Sequence, residues 1–363
     1  MKASQPWIHS KSLDGLFILF PPFAVLLLII FLPEYFNDSA EVNPLSWFIL
    51  ILLIDVAHVY STLYRTYFDP AVINKHKKLL YNIPLLSWIA GVVLYEIDAM
   101  LFWRVLAYIA VFHFIRQQYG FMKIYSRKEN NSVLFRTTDI VTIYAATLYP
   151  IIYWHLNPGR NFQWFVKGDF IQFSNNLVSD VLHYIYFIVL GNYIVKEVYV
   201  SYKERKFNIP KNVLIAGTVL SWYIGIVYYN GDLIFTMLNV VSHGIPYMAL
   251  IWIYGYKTHN KSEKVNRSGV NAYVFRRGGI ILFVVIIILL AYIEEAFWDK
   301  LVWNSHPQIF GIINTTIQIS SKNILAIVIP LLTVPQLTHY IIDGFIWKIK
   351  QDNFDWKEKT LGA

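Results

Sequence analysis

The sequence predicts an all-α, polytopic integral membrane protein, a helical bundle of about ten transmembrane helices. Hydrophobic residues make up 56% of the 363 residues and charged residues only 15%, which lies outside the range of ordinary soluble domains. Apolar stretches of spanning length also follow one another along the chain, separated by shorter polar segments. We therefore expect a single transmembrane domain over residues 1–363, with a polar cytoplasmic loop at about 257–277.

The first apolar stretch is predicted to be a membrane span and not a cleaved signal peptide. It ends in Pro33 and Glu34, where a signal peptide would have a small-residue cleavage site. Pro21 and Pro22 are expected to loosen this helix. The predicted spans are Gly15 to Leu32, Leu45 to Tyr64, Leu79 to Tyr95, Ala99 to Phe121, Thr138 to Leu156, Leu177 to Val200, Val213 to Tyr229, Leu233 to Tyr256, Gly279 to Phe297 and Ile324 to Trp347.

The positions of the 31 lysine and arginine residues indicate the orientation of the chain. Cytoplasmic loops of membrane proteins are enriched in these residues. With a cytoplasmic amino end, the only positive residues on the outer side are Arg104, Arg160, Lys167, Lys300 and Lys322. Both termini are therefore predicted to be cytoplasmic, as in a multi-pass protein of a bacterial inner membrane. The net charge of +8 follows from this loop asymmetry, and we expect no nucleic-acid partner.

Histidines with polar companions at helical spacing recur inside several predicted spans. Polar side chains are costly at membrane depth, so such residues usually have partners. The last span carries Gln336, His339 and Asp343 on one face. The others are Asp55, His58, Thr62 and Arg65 in the second span, His113 and Gln117 in the fourth, Asp180 and His183 in the sixth, and Asn239 and His243 in the eighth. In the predicted topology these histidines lie on the cytoplasmic side of the membrane mid-plane.

These residue types predict a metal site shared by several helices. The chain has no cysteine, which excludes disulfides, iron–sulfur clusters and thiolate ligands. Neutral imidazole suits iron, zinc, copper and nickel, and an accompanying carboxylate favours non-haem iron. We expect iron, with zinc as the alternative. The predicted ligands are His58, His113, His183, His243 and His339, with Asp55 and Asp343 as ligands or as acceptors that fix an imidazole tautomer.

Further residues near the histidines are predicted to assist the site. Gln117 and Asn239 are expected to orient the ligands, and Asp180 accompanies His183. Tyr247 and Tyr340 are candidates for donating protons or hydrogen bonds during catalysis. Arg65 is expected near the membrane surface, where it would meet an anionic lipid headgroup. Simpler interpretations stay open, because a single membrane histidine often only packs helices together, and Asp55 with Arg65 would make a structural ion pair.

The scattered residues His58, His113, His243 and His339 give the chain a resemblance to a broad class of enzymes. The arrangement is similar to multi-pass membrane non-haem iron oxidoreductases, which include fatty-acid desaturases and hydroxylases and carotene-cleaving oxygenases. The resemblance implies an iron-dependent enzyme that uses dioxygen on a lipid or isoprenoid substrate. Its partners would be that lipid-soluble substrate, the membrane lipids and an electron donor.

Two other classes of function remain open from the sequence. The same polar residues would line the path of a proton-coupled or ion-coupled transporter. The sequence shows no paired repeats and no obvious broken helices in matching halves, which are typical of many transporters. The second alternative is a haem protein in which two facing histidines are the axial ligands.

Overall fold

The computed structural model describes residues 5–261, 269–311 and 317–348. Helices account for most of these residues, and no strand occurs among them, so the all-α prediction is confirmed. The longer helices are α1 (Lys11–Leu19), α2 (Pro21–Phe31), α3 (Pro44–Arg65), α4 (Pro70–Ile97), α5 (Ala99–Tyr125), α6 (Val133–Leu156), α7 (Asn176–Glu204), α8 (Ile209–Tyr228) and α9 (Asp232–Lys261). They are followed by α10 (Val270–Val274), α11 (Ile280–Trp303), α12 (Pro307–Phe310), α13 (Lys322–Leu332) and α14 (Val334–Ile346).

Within the described residues, seven helices are long and apolar enough to cross a membrane. The count rises to nine if each of two bent helix pairs is one span. The prediction of a polytopic bundle is therefore confirmed, but the count is not ten. The predicted span from Thr138 to Leu156 corresponds to α6, a continuous helix that is not among the nine. Arg136, Asp139 and several threonines add polar side chains to the first half of α6.

The two bent pairs lie near the two ends of the chain. The axes of α1 and α2 differ by 57°, and the bend falls at Phe20, just before Pro21 and Pro22. The axes of α13 and α14 differ by 40°, and the bend falls at Thr333, before Pro335. Proline lacks the N–H that would continue the helix, which explains both positions. The sequence indicated the first bend but not the second.

The chain forms two compact units, and the first consists of Met1–Val42 and Val111–Pro246. In this unit α6 packs against α7 and α8, and α2 packs against α8. The buried side chain of Lys211 lies 2.7 Å from an oxygen of Glu197 and 2.8 Å from one of Glu129. Lys196, also buried, is paired with Asp139 and Glu197. These ion pairs link three helices of the unit.

The second unit consists of Asn43–Ala110 and Tyr247–Ala363. Here α4 packs against α13 and α14, and α11 packs against α3. Gly91 on α4 allows the close approach of α13, because a Cβ at this position would lie 2.8 Å from the Cβ of Pro330. Helix α3 begins at Pro44, with the Asn43 side chain accepting a hydrogen bond from the Ser46 N–H.

Part of the predicted cytoplasmic loop at 257–277 is helical. Helix α9 continues to Lys261 and α10 spans Val270–Val274. Residues 262–268 of that loop lie outside the described residues, as do the amino end before residue 5 and the carboxyl end after residue 348. The orientation of the termini stays a prediction.

Candidate metal centre

One pair of predicted ligands lies on α3 and α14. The side chains of His58 and His339 are each 1% exposed. Their ring centroids are 5.0 Å apart and the rings are nearly perpendicular, at 77°. Helix α3 has wide π-type turns over Phe48–Val56 immediately before His58. Such turns shift the register of a helix and are frequent at functional sites, so they help set the direction of this histidine.

A chain of hydrogen bonds orients His339. Its Nδ1 lies 2.7 Å from Oγ1 of Thr62, and this Oγ1 lies 2.8 Å from the hydroxyl of Tyr247. The Tyr247 hydroxyl donates to Oδ1 of Asp343 over 2.6 Å. A carboxylate can only accept hydrogen bonds, so the proton of the Tyr247 hydroxyl points to Asp343. Tyr247 therefore accepts a hydrogen bond from Thr62, and Thr62 accepts one from Nδ1–H of His339. Nε2 of His339 then carries the lone pair that a metal ion requires.

The other pair lies on α5 and α9. The His113 and His243 side chains are 6% and 1% exposed, and their ring centroids are 5.0 Å apart at 79°. The His243 ring stacks on Phe114, with centroids 3.5 Å apart and an interplanar angle of 8°. Gln117 donates from Nε2 to the carbonyl oxygen of His243 over 3.1 Å. These contacts fix the rotation of the His243 ring and the position of its backbone.

The four histidines form one buried group among the described residues. Each of His58, His113, His243 and His339 offers one ring nitrogen, and these nitrogens lie within 4.8 Å of one another. Nitrogens bound to one ion at about 2.1 Å are roughly 3.4 Å apart in a tetrahedral site and at most roughly 4.2 Å apart on opposite sides of the ion, so the imidazoles would move closer together by about 1 Å around a bound ion. The donor set therefore fits one transition-metal ion. Four imidazoles suit zinc, copper, iron and nickel alike.

Comparison of the chain with protein-family models, with curated proteins and with solved structures finds no match.

The structure does not bring His183 or Asp180 to the four-histidine group. Nδ1 of His183 lies 2.9 Å from the hydroxyl of Tyr149, inside a cluster of tyrosines in the first unit. The side chain of Asp180 is exposed. The two residues follow the same sequence pattern as the other pairs, but α7 packs on α6 and directs His183 toward Tyr149. The prediction that His183 is a fifth ligand is not supported by this geometry.

The two predicted carboxylate ligands lie beside histidines and not among the grouped atoms. Oδ1 of Asp55 is 3.6 Å from Nδ1 of His58, and Oδ1 of Asp343 is 3.8 Å from Nδ1 of His339. Both distances are longer than a hydrogen bond. Of the two roles left open by the sequence, Asp343 matches a group that fixes the tautomer, because it is the last acceptor in the chain of hydrogen bonds that starts at Nδ1 of His339.

Arg65 lies where the sequence did not predict it. Its side chain is 1% exposed, stacked between the rings of Trp347 at 3.8 Å and Tyr254 at 4.3 Å, and it donates to the carbonyl oxygen of Ile346. Burial removes it from the lipid headgroups that it was expected to meet. Helix α3 ends in 3₁₀ turns over Thr62–Arg65, and this ending directs the Arg65 side chain into the protein.

The remaining predicted residues have simple surroundings. Asn239 is buried and donates to the carbonyl oxygen of Phe235 in its own helix over 2.8 Å. The ring of Tyr340 lies next to that of His339, with centroids 5.6 Å apart. Gln336 donates to Oε1 of Glu294 over 3.0 Å. Glu294 was not predicted as part of the site, although an acidic residue inside the apolar sequence of α11 is a signal that would have found it.

A groove of about 230 Å³ in the second unit leads to His339. Its walls come from α3, α4 and α14 and are mostly apolar. They include Val59, Leu63, Pro84, Val334 and His339 itself. Since these helices are candidate membrane spans, the groove lies on a part of the chain that lipid would surround.

Proposed function

We propose that the protein is a membrane metalloenzyme, a non-haem iron oxidoreductase that acts on a lipid or isoprenoid substrate. The observation that carries the proposal is the buried group of four histidine nitrogens within 4.8 Å of one another. Four imidazoles suit zinc and iron alike, and iron is proposed because the proposed reaction needs one-electron chemistry with dioxygen, which zinc does not supply.

The groove beside His339 supports a lipid-soluble substrate. Its walls are apolar and its helices are candidate spans, so a ligand would reach it from the bilayer and not from water. A volume of about 230 Å³ accommodates a segment of a hydrocarbon chain and not a whole lipid. An elongated substrate would therefore bind with one segment in the groove and the rest in the membrane.

The residues around His339 would have defined roles in this enzyme. Thr62, Tyr247 and Asp343 hold the Nδ1 proton of His339 and so keep Nε2 available for the ion. The hydroxyl of Tyr247 is the one phenol in this chain of hydrogen bonds, and it is the proposed proton donor. Tyr340, next to His339, is the second candidate for contact with the substrate. A separate electron donor would be needed for hydroxylation or desaturation.

Metal content and a visible spectrum of the purified full-length protein test the proposal. We expect bound iron, no haem Soret band, and loss of the metal in His113→Ala and His339→Ala. His183→Ala is the matched control, since it removes a membrane histidine outside the group and should leave the metal content unchanged. A folded, active protein that binds no transition metal would contradict the proposal, and a Soret band would favour the haem alternative.

A metal-ion transporter is the second candidate, favoured by the two bent spans. Broken helices near a buried site are typical of transporters, and α14, which follows the second bend, carries His339. Metal uptake into proteoliposomes distinguishes the two functions. Uptake that depends on His339 would support transport, whereas a tightly bound metal with no uptake would support the enzyme.

We also propose that the protein resides in a bacterial inner membrane with both termini in the cytoplasm. The several helices that are long and apolar enough to span support a multi-pass membrane protein. The placement of most lysines and arginines in alternate loops supports the orientation.

A further inference from the structure

A row of aromatic rings leads away from His243 within the first unit. The His243 ring stacks on Phe114 at 3.5 Å, and Phe114 meets Trp164 edge to face at 5.1 Å, both measured between ring centroids. The ring of Trp164 lies 6.2 Å from Phe170, and Phe170 stacks on Trp154 at 4.3 Å. A second route connects the two tryptophans through Phe235, at 5.8 and 5.4 Å. Every neighbouring pair of rings is therefore within contact distance.

The row continues along α6 to a tyrosine with a proton acceptor. The connection from Trp154 to Tyr153 runs through the backbone of these two adjacent residues of α6, and the ring of Tyr153 lies 6.2 Å from that of Tyr149. The Tyr149 hydroxyl lies 2.9 Å from Nδ1 of His183. Tyr149 also stacks on Tyr186 at 4.5 Å. The interaction of His183 with Tyr149 thus gives a role to a histidine that the four-histidine group does not use.

Among the aromatic side chains, tryptophan and tyrosine lose an electron far more readily than phenylalanine, and an oxidised tyrosine is stable only if its proton has somewhere to go. Among the described residues, Nε1 of Trp154 and the hydroxyl of Tyr186 have no hydrogen-bond partner, although both side chains are buried. Tyr153 lies near the cationic side chain of Arg160, 5.3 Å from the ring, which opposes a further positive charge there. Tyr149, whose hydroxyl contacts His183, is consequently the residue on which a radical would be most stable.

We propose that Trp164, Trp154 and Tyr149 form an electron-transfer chain that ends at the Tyr149–His183 pair and supplies one electron to the metal centre at His243. The proposal rests on the proposed function, because the oxidant is the iron centre after its oxidation by dioxygen. In the terminal step the Tyr149 O–H bond breaks, its proton passes to Nδ1 of His183, and its electron passes through the tryptophans to the oxidised centre. The products are a neutral tyrosyl radical, a protonated imidazole and a metal centre reduced by one electron.

Such a chain would act as a one-electron reservoir. It would reduce an oxidised centre when no external donor or substrate is present and so keep the oxidising equivalent away from the apolar surroundings of the site. The pair is also accessible from the membrane, because residues of α7 near His183 are exposed, with Val181 at 48% and Tyr184 at 70%. A lipid-soluble reductant could therefore return Tyr149 to its resting state.

The first experiment examines the pair without any metal. Full-length, metal-free protein in nanodiscs is oxidised with a photo-generated one-electron oxidant, and the radical is detected by electron paramagnetic resonance. We expect a tyrosyl radical that is lost in Tyr149→Phe and that decays much faster in His183→Gln, which keeps a hydrogen-bonding side chain but not a base. Tyr186→Phe is the matched control and should retain the radical. An equal radical in Tyr149→Phe, with native circular dichroism, would overturn the assignment of Tyr149.

The second experiment examines the connection to the centre. Protein loaded with ferrous iron is exposed to dioxygen without substrate, and zinc-loaded protein is the control. We expect the Tyr149 radical in the iron-loaded protein only, and its loss in the Trp154→Phe and Trp164→Phe double variant, which retains its iron. A radical that forms in the photo-oxidised protein but never in iron-loaded protein would overturn the chain. Failure of the wild-type protein to bind iron at all would instead refute the proposed function.

Discussion

At the scale of single residues, the chemistry of His339 depends on neighbours that are distant in the sequence. The hydroxyl of Thr62 accepts its Nδ1 proton. Thr62 in turn donates to Tyr247, and Tyr247 donates to Asp343. Groups that orient a ligand imidazole commonly contribute as much to a metal site as the ligand's own geometry. The same principle applies to His243, where Phe114 and Gln117 fix the ring and the backbone.

Replacing Thr62 by valine should weaken metal binding without unfolding the protein. The substitution removes the acceptor of the Nδ1 proton and leaves the side-chain volume nearly unchanged, so His339 loses its fixed tautomer. We expect the metal affinity to fall by about 10- to 100-fold. Competition with a chelator of known affinity measures it.

Thr66→Val is the matched control for this prediction. The Thr66 side chain is equally buried, but it only donates to the carbonyl oxygen of Thr62 within the same segment. If both variants lost affinity equally, the effect would come from packing of α3 and not from the orientation of His339.

At the scale of helices, two features determine which side chains face inward. The π-type turns of α3 precede His58, and the bend between α13 and α14 precedes His339. Packing between helices holds these elements in register: α4 lies against both α13 and α14, and buried ion pairs connect α6, α7 and α8. Disrupting the packing of α4 or the buried ion pairs should therefore lower the stability of the protein.

The Gly91→Ala variant should be less stable than the wild-type protein. Its new methyl group would lie 2.8 Å from Pro330, so α4 and α13 would have to separate. We expect a loss of about 1–3 kcal/mol in the free energy of unfolding, typical of overpacking. The thermal unfolding midpoint in detergent measures it. Gly191→Ala is the control, because no atom lies within 4 Å of the position that its new Cβ would occupy. This variant should be neutral or slightly stabilising.

Replacing Lys211 by methionine should also destabilise the first unit. The three carboxylates around it, those of Glu129, Asp139 and Glu197, would retain only Lys196 as a buried counter-charge. Breaking a buried ion pair on one side typically costs about 3–5 kcal/mol. Denaturant unfolding of Lys211→Met is compared with that of Lys203→Met, whose side chain is exposed. Equal stability of the two variants would contradict a structural role for the network.

At the scale of the whole molecule, the number of helices that cross the membrane depends on α6. The positive residues are distributed as expected for about ten spans, whereas the described residues contain nine at most by length and apolarity. The difference is α6, which lies between two polar loops. If α6 crosses, those loops lie on opposite sides of the membrane.

The absence of cysteine allows a direct test of this topology. Single cysteines are introduced at Asn130 before α6 and at Ser174 after it, both exposed positions. We expect a membrane-impermeant maleimide to label Ser174→Cys in intact cells, and to label Asn130→Cys only after the membrane is opened. Labelling of both in intact cells, or of neither, would show that α6 does not span.

The sequence by itself determined the class of the molecule and most of the candidate ligands. Long apolar stretches require helices in a bilayer, because every backbone N–H and C=O must be paired internally there. Histidines within such stretches are rare enough to mark a site, and four of the five predicted were brought together. The positions of the predicted helices follow from the same local patterns.

Only the tertiary structure decided which of the similar polar pairs share a site. His183 has the same local pattern as His339, yet it bonds to Tyr149, whereas His339 bonds to a threonine 277 positions away in the sequence. Arg65 is buried between two rings, although its place near the end of a span predicted exposure. Helical spacing fixes the face on which a side chain lies, but the partner of that face is set by long-range packing, and no local pattern encodes it.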